Sequence, residues 1–195
     1  LMGLIYNVPP VRTKEMPYLD VVSESVNNPL RLALGWFAVE PNLIPPMSVV
    51  ISYWMVGAFF MAAKRFAEYR EIGDPGRAAA YRNSFKYYSE ANLLVSMFFY
   101  ATSSALMWGV FIIRYKLEQI LCVPLFAGFF SYYMWTTLKV NSPVQAPERL
   151  YRETGLMMYL VVCVFAFVGL MFVNVPVLYE WFNVEPSTLP SLWKF

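Results

Sequence analysis

From Ala91 to Ile113, and again from Thr154 to Val175, the chain runs without one charged residue. A helix needs about 20 mostly apolar residues to cross a bilayer. Inside hydrocarbon every backbone group must be satisfied within the protein, so runs of this length commit a chain to spanning helices. Three further candidates lie at 17–39, 47–66 and 117–138, the first of them oddly polar. Breakers separate them: Pro41, Pro45 and Pro46, then Gly73, Asp74, Pro75 and Gly76, then Pro143 and Pro147. The expected fold is all-α, a polytopic transmembrane helix bundle of about five spans over residues 1–176. Residues 177–195, with Trp181, Pro186, Pro190 and Trp193, read as an interfacial tail.

Composition agrees where it bears on class. The chain is 58% hydrophobic and 14% charged, with a mean hydropathy of +0.46, whereas soluble domains are about one quarter charged. A net charge of +2 is too small to argue for nucleic acid. The absence of histidine excludes His-based acid–base chemistry and His-ligated haem, zinc or iron in this chain. Cys122 and Cys163 each sit in an apolar run and read as buried thiols. Leu1–Tyr6 reads as the last turns of a helix that begins upstream, so the chain is expected to be the C-terminal portion of something longer.

Five spans would place Arg12, Lys14, Lys64, Arg65, Arg70, Arg77, Arg82, Lys86, Lys139, Arg149 and Arg152 on one side. Only Arg114, Lys116 and Lys194 would lie on the other. The positive-inside rule puts the first side in the cytoplasm.

The first candidate span carries residues a membrane rejects: Asp20, Glu24, Asn27, Asn28 and Arg31. On an unbroken helix these share one face, with Val22, Val26 and Leu30 opposite. A charge at the bilayer centre costs roughly 2.5–3.5 kcal/mol on insertion scales, so the stripe should line a hydrated cavity open to the cytoplasm. The alternative is that Glu24 and Arg31 pair with neighbouring helices as packing glue. Before the stripe, Arg12 and Lys14 follow a Pro-Pro turn, where they could hold phosphate or simply anchor the chain. Lys64, Glu68 and Glu71 share a face at the end of the second span, either at the cavity mouth or as a solvated, salt-bridged helix end. The following connection, through Arg77, Tyr81, Arg82, Lys86, Tyr87, Tyr88 and Glu90, reads as an interfacial helix or a lid. Carboxylates beside cations at a cavity mouth suit Mg²⁺-assisted diphosphate chemistry, with a lipid entering between the helices.

At these residues the chain resembles a known family. Tyr6-Asn7-Val8-Pro9-Pro10-Val11-Arg12-Thr13-Lys14, followed by Leu19-Asp20 and a polar helix, resembles the UbiA superfamily of intramembrane prenyltransferases. The run from Phe60 to Tyr69 and Tyr87-Tyr88-Ser89-Glu90 are similar to the decaprenyl-phosphate phosphoribosyltransferase branch. The resemblance covers Leu1 to Val175, which would be the second half of a nine-helix bundle in a bacterial inner (plasma) membrane. It implies Mg²⁺-dependent transfer of phosphoribose, or of a prenyl group, from a diphosphate donor to a polyprenyl phosphate or other lipid acceptor. It gives Lys14, Tyr6 and Arg12 a phosphate-binding role and puts Lys64, Arg65 and Glu68 at the cavity mouth. Asp20 and Glu24 would be catalytic and metal-holding, with Asn28 and Arg31 lining the substrate cavity. The first Asp-rich motif of the superfamily is absent and the second departs from its common form, so this chain would not be a complete enzyme. The other class considered is a non-catalytic UbiA-like subunit of a photosynthetic or respiratory complex, packed against other membrane subunits and holding lipid, quinone or pigment. A channel or transporter has little support, since the later helices are expected to carry no buried charge.

Overall fold

The computed structural model describes residues 6–10 and 12–185. Leu1–Ile5, Val11, Pro186, Pro190, Trp193 and Lys194 lie outside the described residues. Nine α-helices are assigned among the described residues: α1 Leu19–Ser25, α2 Asn27–Val39, α3 Met47–Ile72, α4 Pro75–Tyr81, α5 Glu90–Tyr115, α6 Val123–Thr137, α7 Pro147–Leu150, α8 Thr154–Phe172 and α9 Pro176–Trp181. Four segments are long and apolar enough to cross a membrane: α3, α5, Leu117–Thr137 and α8. The protein is an all-α, multi-pass membrane bundle.

The breakers act where the sequence places them. Gly73 ends α3 with φ at 66°, which a residue without Cβ adopts at no steric cost. Asp74 caps α4, its carboxylate accepting from the Arg77 amide at 2.7 Å, with Pro75 in the first turn. Ser89 caps α5 through the Asn92 amide at 3.1 Å.

The polar first segment is helical from Leu19 to Val39 but breaks at Val26. Pro29 is the cause: it has no amide to give the Ser25 carbonyl, and its ring crowds that carbonyl. The ladder resumes at Leu30, which donates to Val26. The α1–α2 segment still runs from one end of α3 to the other. Tyr18 meets Tyr88 at one end, and Trp36 stands beside Val49 at the other.

Helix α3 is the axis. It runs antiparallel to α5, with Ala58, Ala62 and Ala63 fully buried. Small residues let membrane helices approach closely where water supplies no driving force between them. Ser52 and Ser104 exchange hydrogen bonds there: each hydroxyl donates to the other's carbonyl, at 3.1 and 3.2 Å. Helices α6 and α8 interlock through two tyrosines. The Tyr159 hydroxyl occupies the place a Cβ would take on Gly128, and the Tyr132 hydroxyl does the same at Gly155. Gly128→Ala is expected to cost about 1–3 kcal/mol by overpacking. Adding Tyr159→Phe should recover most of that loss, since only the hydroxyl collides. Unfolding by SDS titration in mixed micelles tests both, and no recovery in the double variant would place the strain elsewhere.

Candidate functional site

Polar groups from four segments converge at the end of the bundle where α3 closes and α5 begins. Arg65, on α3, is at the centre, its side chain 4% exposed. Its guanidinium meets three carboxylates: Nη2 donates to Glu24 Oε2 at 2.8 Å, Nη1 donates to Glu68 Oε2 at 3.0 Å, and Nε stands 3.5 Å from Asp20 Oδ2. Asp20 is fully buried. The connection after α4 supplies its other partners. The Tyr88 hydroxyl donates to Oδ1 at 2.7 Å, the Ser84 hydroxyl donates to Oδ2 at 3.2 Å, and Arg82 Nε lies 3.5 Å from Oδ2. Tyr6 closes the circuit, donating to Glu24 at 2.9 Å and accepting from Arg82 Nη2 at 2.8 Å.

The backbone around this network is constrained. Tyr18 precedes α1 with φ at 65°, a conformation L side chains rarely adopt. Its amide donates to the Tyr88 hydroxyl at 2.6 Å, and the two rings meet edge to face at 5.4 Å. Strain of this kind costs on the order of 1–3 kcal/mol and persists only where the surroundings impose it. Burial, then the nearby Asp20 charge, pushes the Tyr88 hydroxyl far above the ordinary phenol range. Burial, then Glu24, raises Tyr6. Both phenols therefore stay protonated and act as donors to carboxylates.

The candidates from the sequence divide into two sets. Tyr6, Asp20, Glu24, Arg65 and Glu68 are one cluster, with Arg65 inside it rather than at a mouth. Arg12 instead pairs with Glu15 at 3.0 Å, and Lys14 donates to Asn7 at 3.1 Å. Lys64 is half-buried and makes no ion pair or hydrogen bond among the described residues. Asn28 packs against Gly57. Arg31 is exposed on α2 and joins no ion pair among the described residues, so the stripe does not continue past the break at Val26. Arg82, Ser84 and Tyr88 belong to the site although sequence reasoning left them in a lid or interfacial helix.

The carboxylates of the cluster are neutralised by guanidinium and hydroxyl groups. Both oxygens of Asp20 are engaged, and Arg65 binds one oxygen on each of Glu24 and Glu68. Among the described residues no group of three or more metal-ligating side chains forms a cation site.

A second polar cluster, at the opposite end, overturns the expectation that the later helices carry no buried charge. Glu118 is fully buried in the 3₁₀ turn Leu117–Cys122. It accepts from the Val175 amide and the Tyr179 hydroxyl, each at 3.1 Å, with Lys116 Nζ at 3.4 Å. Burial, then this hydrogen bond, pushes the Tyr179 hydroxyl up to about 12. The cluster straps α9 to the α5–α6 turn.

No family model, curated protein or solved structure matches the chain.

Proposed function

We propose that the chain is the second half of a UbiA-like membrane transferase. It would move phosphoribose, or a prenyl group, from a diphosphate donor to a polyprenyl phosphate or other lipid acceptor. The observation that carries this reading is the ion network itself. Three carboxylates and two guanidiniums are drawn together at one end of a mostly apolar bundle, and membrane proteins keep such costly groups mainly where they act. The end that holds the network also holds the basic connections, so it faces the cytoplasm, where a soluble diphosphate arrives.

In this reading the buried network holds Glu24 at the site, and the cations at the rim bind phosphate. Among the described residues Lys64 has no carboxylate partner, and Lys14 donates to the Asn7 side-chain oxygen and pairs with no carboxylate. Their charges are available to neutralise phosphate. Charge builds on the bridging oxygen as the diphosphate leaves, so fixed cations stabilise the transition state more than the ground state. Glu24, a third exposed, is the carboxylate that reaches the opening and can accept from a substrate hydroxyl. Phosphate neutralisation rests on these cations.

Transfer measured in membranes carrying the full-length protein should fall about 10²–10³-fold on Lys14→Ala or Lys64→Ala, the cost typical of losing one transition-state donor. Unchanged rates in both variants would remove these residues from the chemistry. One observation favours the second reading, a non-catalytic subunit of a larger complex that binds lipid, quinone or pigment. Helix α8 has only 11% of its apolar window buried within the chain, leaving a broad face for other membrane components. Absence of transfer by the full-length wild type would favour that reading.

A further inference from the structure

At the end remote from the ion network the helices leave an apolar cleft of about 320 Å³. Trp36 of α2, Pro46 and Val49 at the start of α3, Phe111 of α5, and Phe167 and Met171 of α8 are among its walls. It lies about 24 Å from Arg65, counted along α3 at about 1.5 Å per residue, so it belongs to a different depth of the membrane from the network. Its volume is at the lower end of the ~300–1,000 Å³ usual for ligand sites.

The walls are held open. The Trp36 indole donates to the Leu43 carbonyl at 2.8 Å, which ties its polar edge to the α2–α3 turn. Phe167 is fixed twice: its carbonyl accepts from Gln119 Nε2 at 2.8 Å, and its ring packs 5.4 Å from Trp108. The end of α8 is pinned by Lys116, which donates to the Val173 carbonyl at 2.8 Å and to Asn174 at 2.9 Å. The residues lining it are all apolar, so water gains nothing by entering. Hydrocarbon is the occupant this chemistry accepts.

One charge on α5, a turn past the lining residue Phe111, says which hydrocarbon. Arg114 stands one helical turn beyond Phe111, exposed and with no ion-pair partner among the described residues. Residues three apart on a helix share a face. An acyl chain in the cleft would therefore carry its headgroup to a guanidinium, which binds phosphate in a bidentate fork.

We propose that this cleft binds one acyl chain of an anionic phospholipid from the leaflet at that end, with the lipid phosphate on Arg114. The site is independent of the transferase reading and of any substrate at the ion network. The test is native mass spectrometry of the full chain released from nanodiscs of phosphatidylglycerol or of phosphatidylcholine. The wild type should retain one phosphatidylglycerol and prefer it at least about tenfold over phosphatidylcholine, a difference set by one charged contact. Val49→Trp, which fills the cleft, should lower retention of both lipids at least about tenfold. Arg114→Gln, at an exposed position with no ion-pair partner among the described residues, should abolish the preference while leaving chain binding. Equal retention of the two lipids by the wild type, or undiminished retention by Val49→Trp, would overturn the proposal. So would an Arg114→Gln protein that still prefers phosphatidylglycerol.

Discussion

Replacing Arg65 by methionine is expected to cost about 3–5 kcal/mol, the largest loss of any single substitution in the bundle. The reason is charge left without its counter-charge around a guanidinium that is nearly fully buried beside a fully buried Asp20. Among the described residues Arg65 is the one group that touches Asp20, Glu24 and Glu68 together. Methionine fills a similar volume but leaves three carboxylates facing one another, with only Arg82 beside Asp20. Lysine should recover less than half of the loss, since an ammonium is a point charge and cannot fork toward three acceptors. Glu24→Gln and Glu68→Gln added to Arg65→Met should restore much of it, because an amide in place of a stranded carboxylate removes the desolvation cost. SDS titration in mixed micelles measures the series. A triple variant no more stable than Arg65→Met would mean that the loss comes from packing and not from charge.

Asp20→Asn should act on the lid and not on the bundle. Apart from Arg65, every partner of the Asp20 carboxylate comes from the connection between α4 and α5: Arg82, Ser84 and Tyr88. Asparagine keeps the shape, but it loses the charge that holds two guanidiniums and strengthens both hydroxyl bonds. A hydrogen bond to a charged group is worth about 1.5–3 kcal/mol, so the connection should open roughly tenfold to a hundredfold more often. A cysteine replacing Ala78, the buried residue of α4, reads the opening through its rate of maleimide labelling. A cysteine replacing Leu93, fully buried in α5, serves as the control and should stay unreactive. The native thiols, Cys122 and Cys163, are both buried and add little background. If the two engineered positions speed up together, Asp20 supports the whole bundle and not the lid.

The spans were legible because their signals are local. A run without charge, bounded by Pro or Gly-Asp-Pro-Gly, becomes a membrane helix whatever packs beside it. Asp74-Pro75 and Ser89 cap their helices for the same local reason. The polar stripe was half legible. Asp20 and Glu24 share a face because α1 is continuous between them, but Arg31 lies beyond the interruption set by Pro29, and periodicity carried across a break no longer tells which way a side chain points. Arg82, Ser84 and Tyr88 carried no spacing signal. They reach Asp20 because a short helix and a 3₁₀ turn fold back over the end of α3, which depends on the buried contacts of Ala78 and Phe85. Glu118 was hidden by its position at a span end, where a carboxylate usually faces water. Only the strap of α9 buries it.

The transferase reading requires the ion network to face the cytoplasm, with the apolar cleft at the opposite side of the membrane. Single cysteines at positions 77, 149 and 114 test this directly, using an impermeant maleimide on right-side-out and inverted vesicles. Positions 77 and 149 follow α3 and α6 at the network end, and position 114 closes α5 at the other. The account predicts labelling of 77 and 149 from the cytoplasmic face and of 114 from the opposite face alone. Labelling of 114 from the same face as 77 would contradict it.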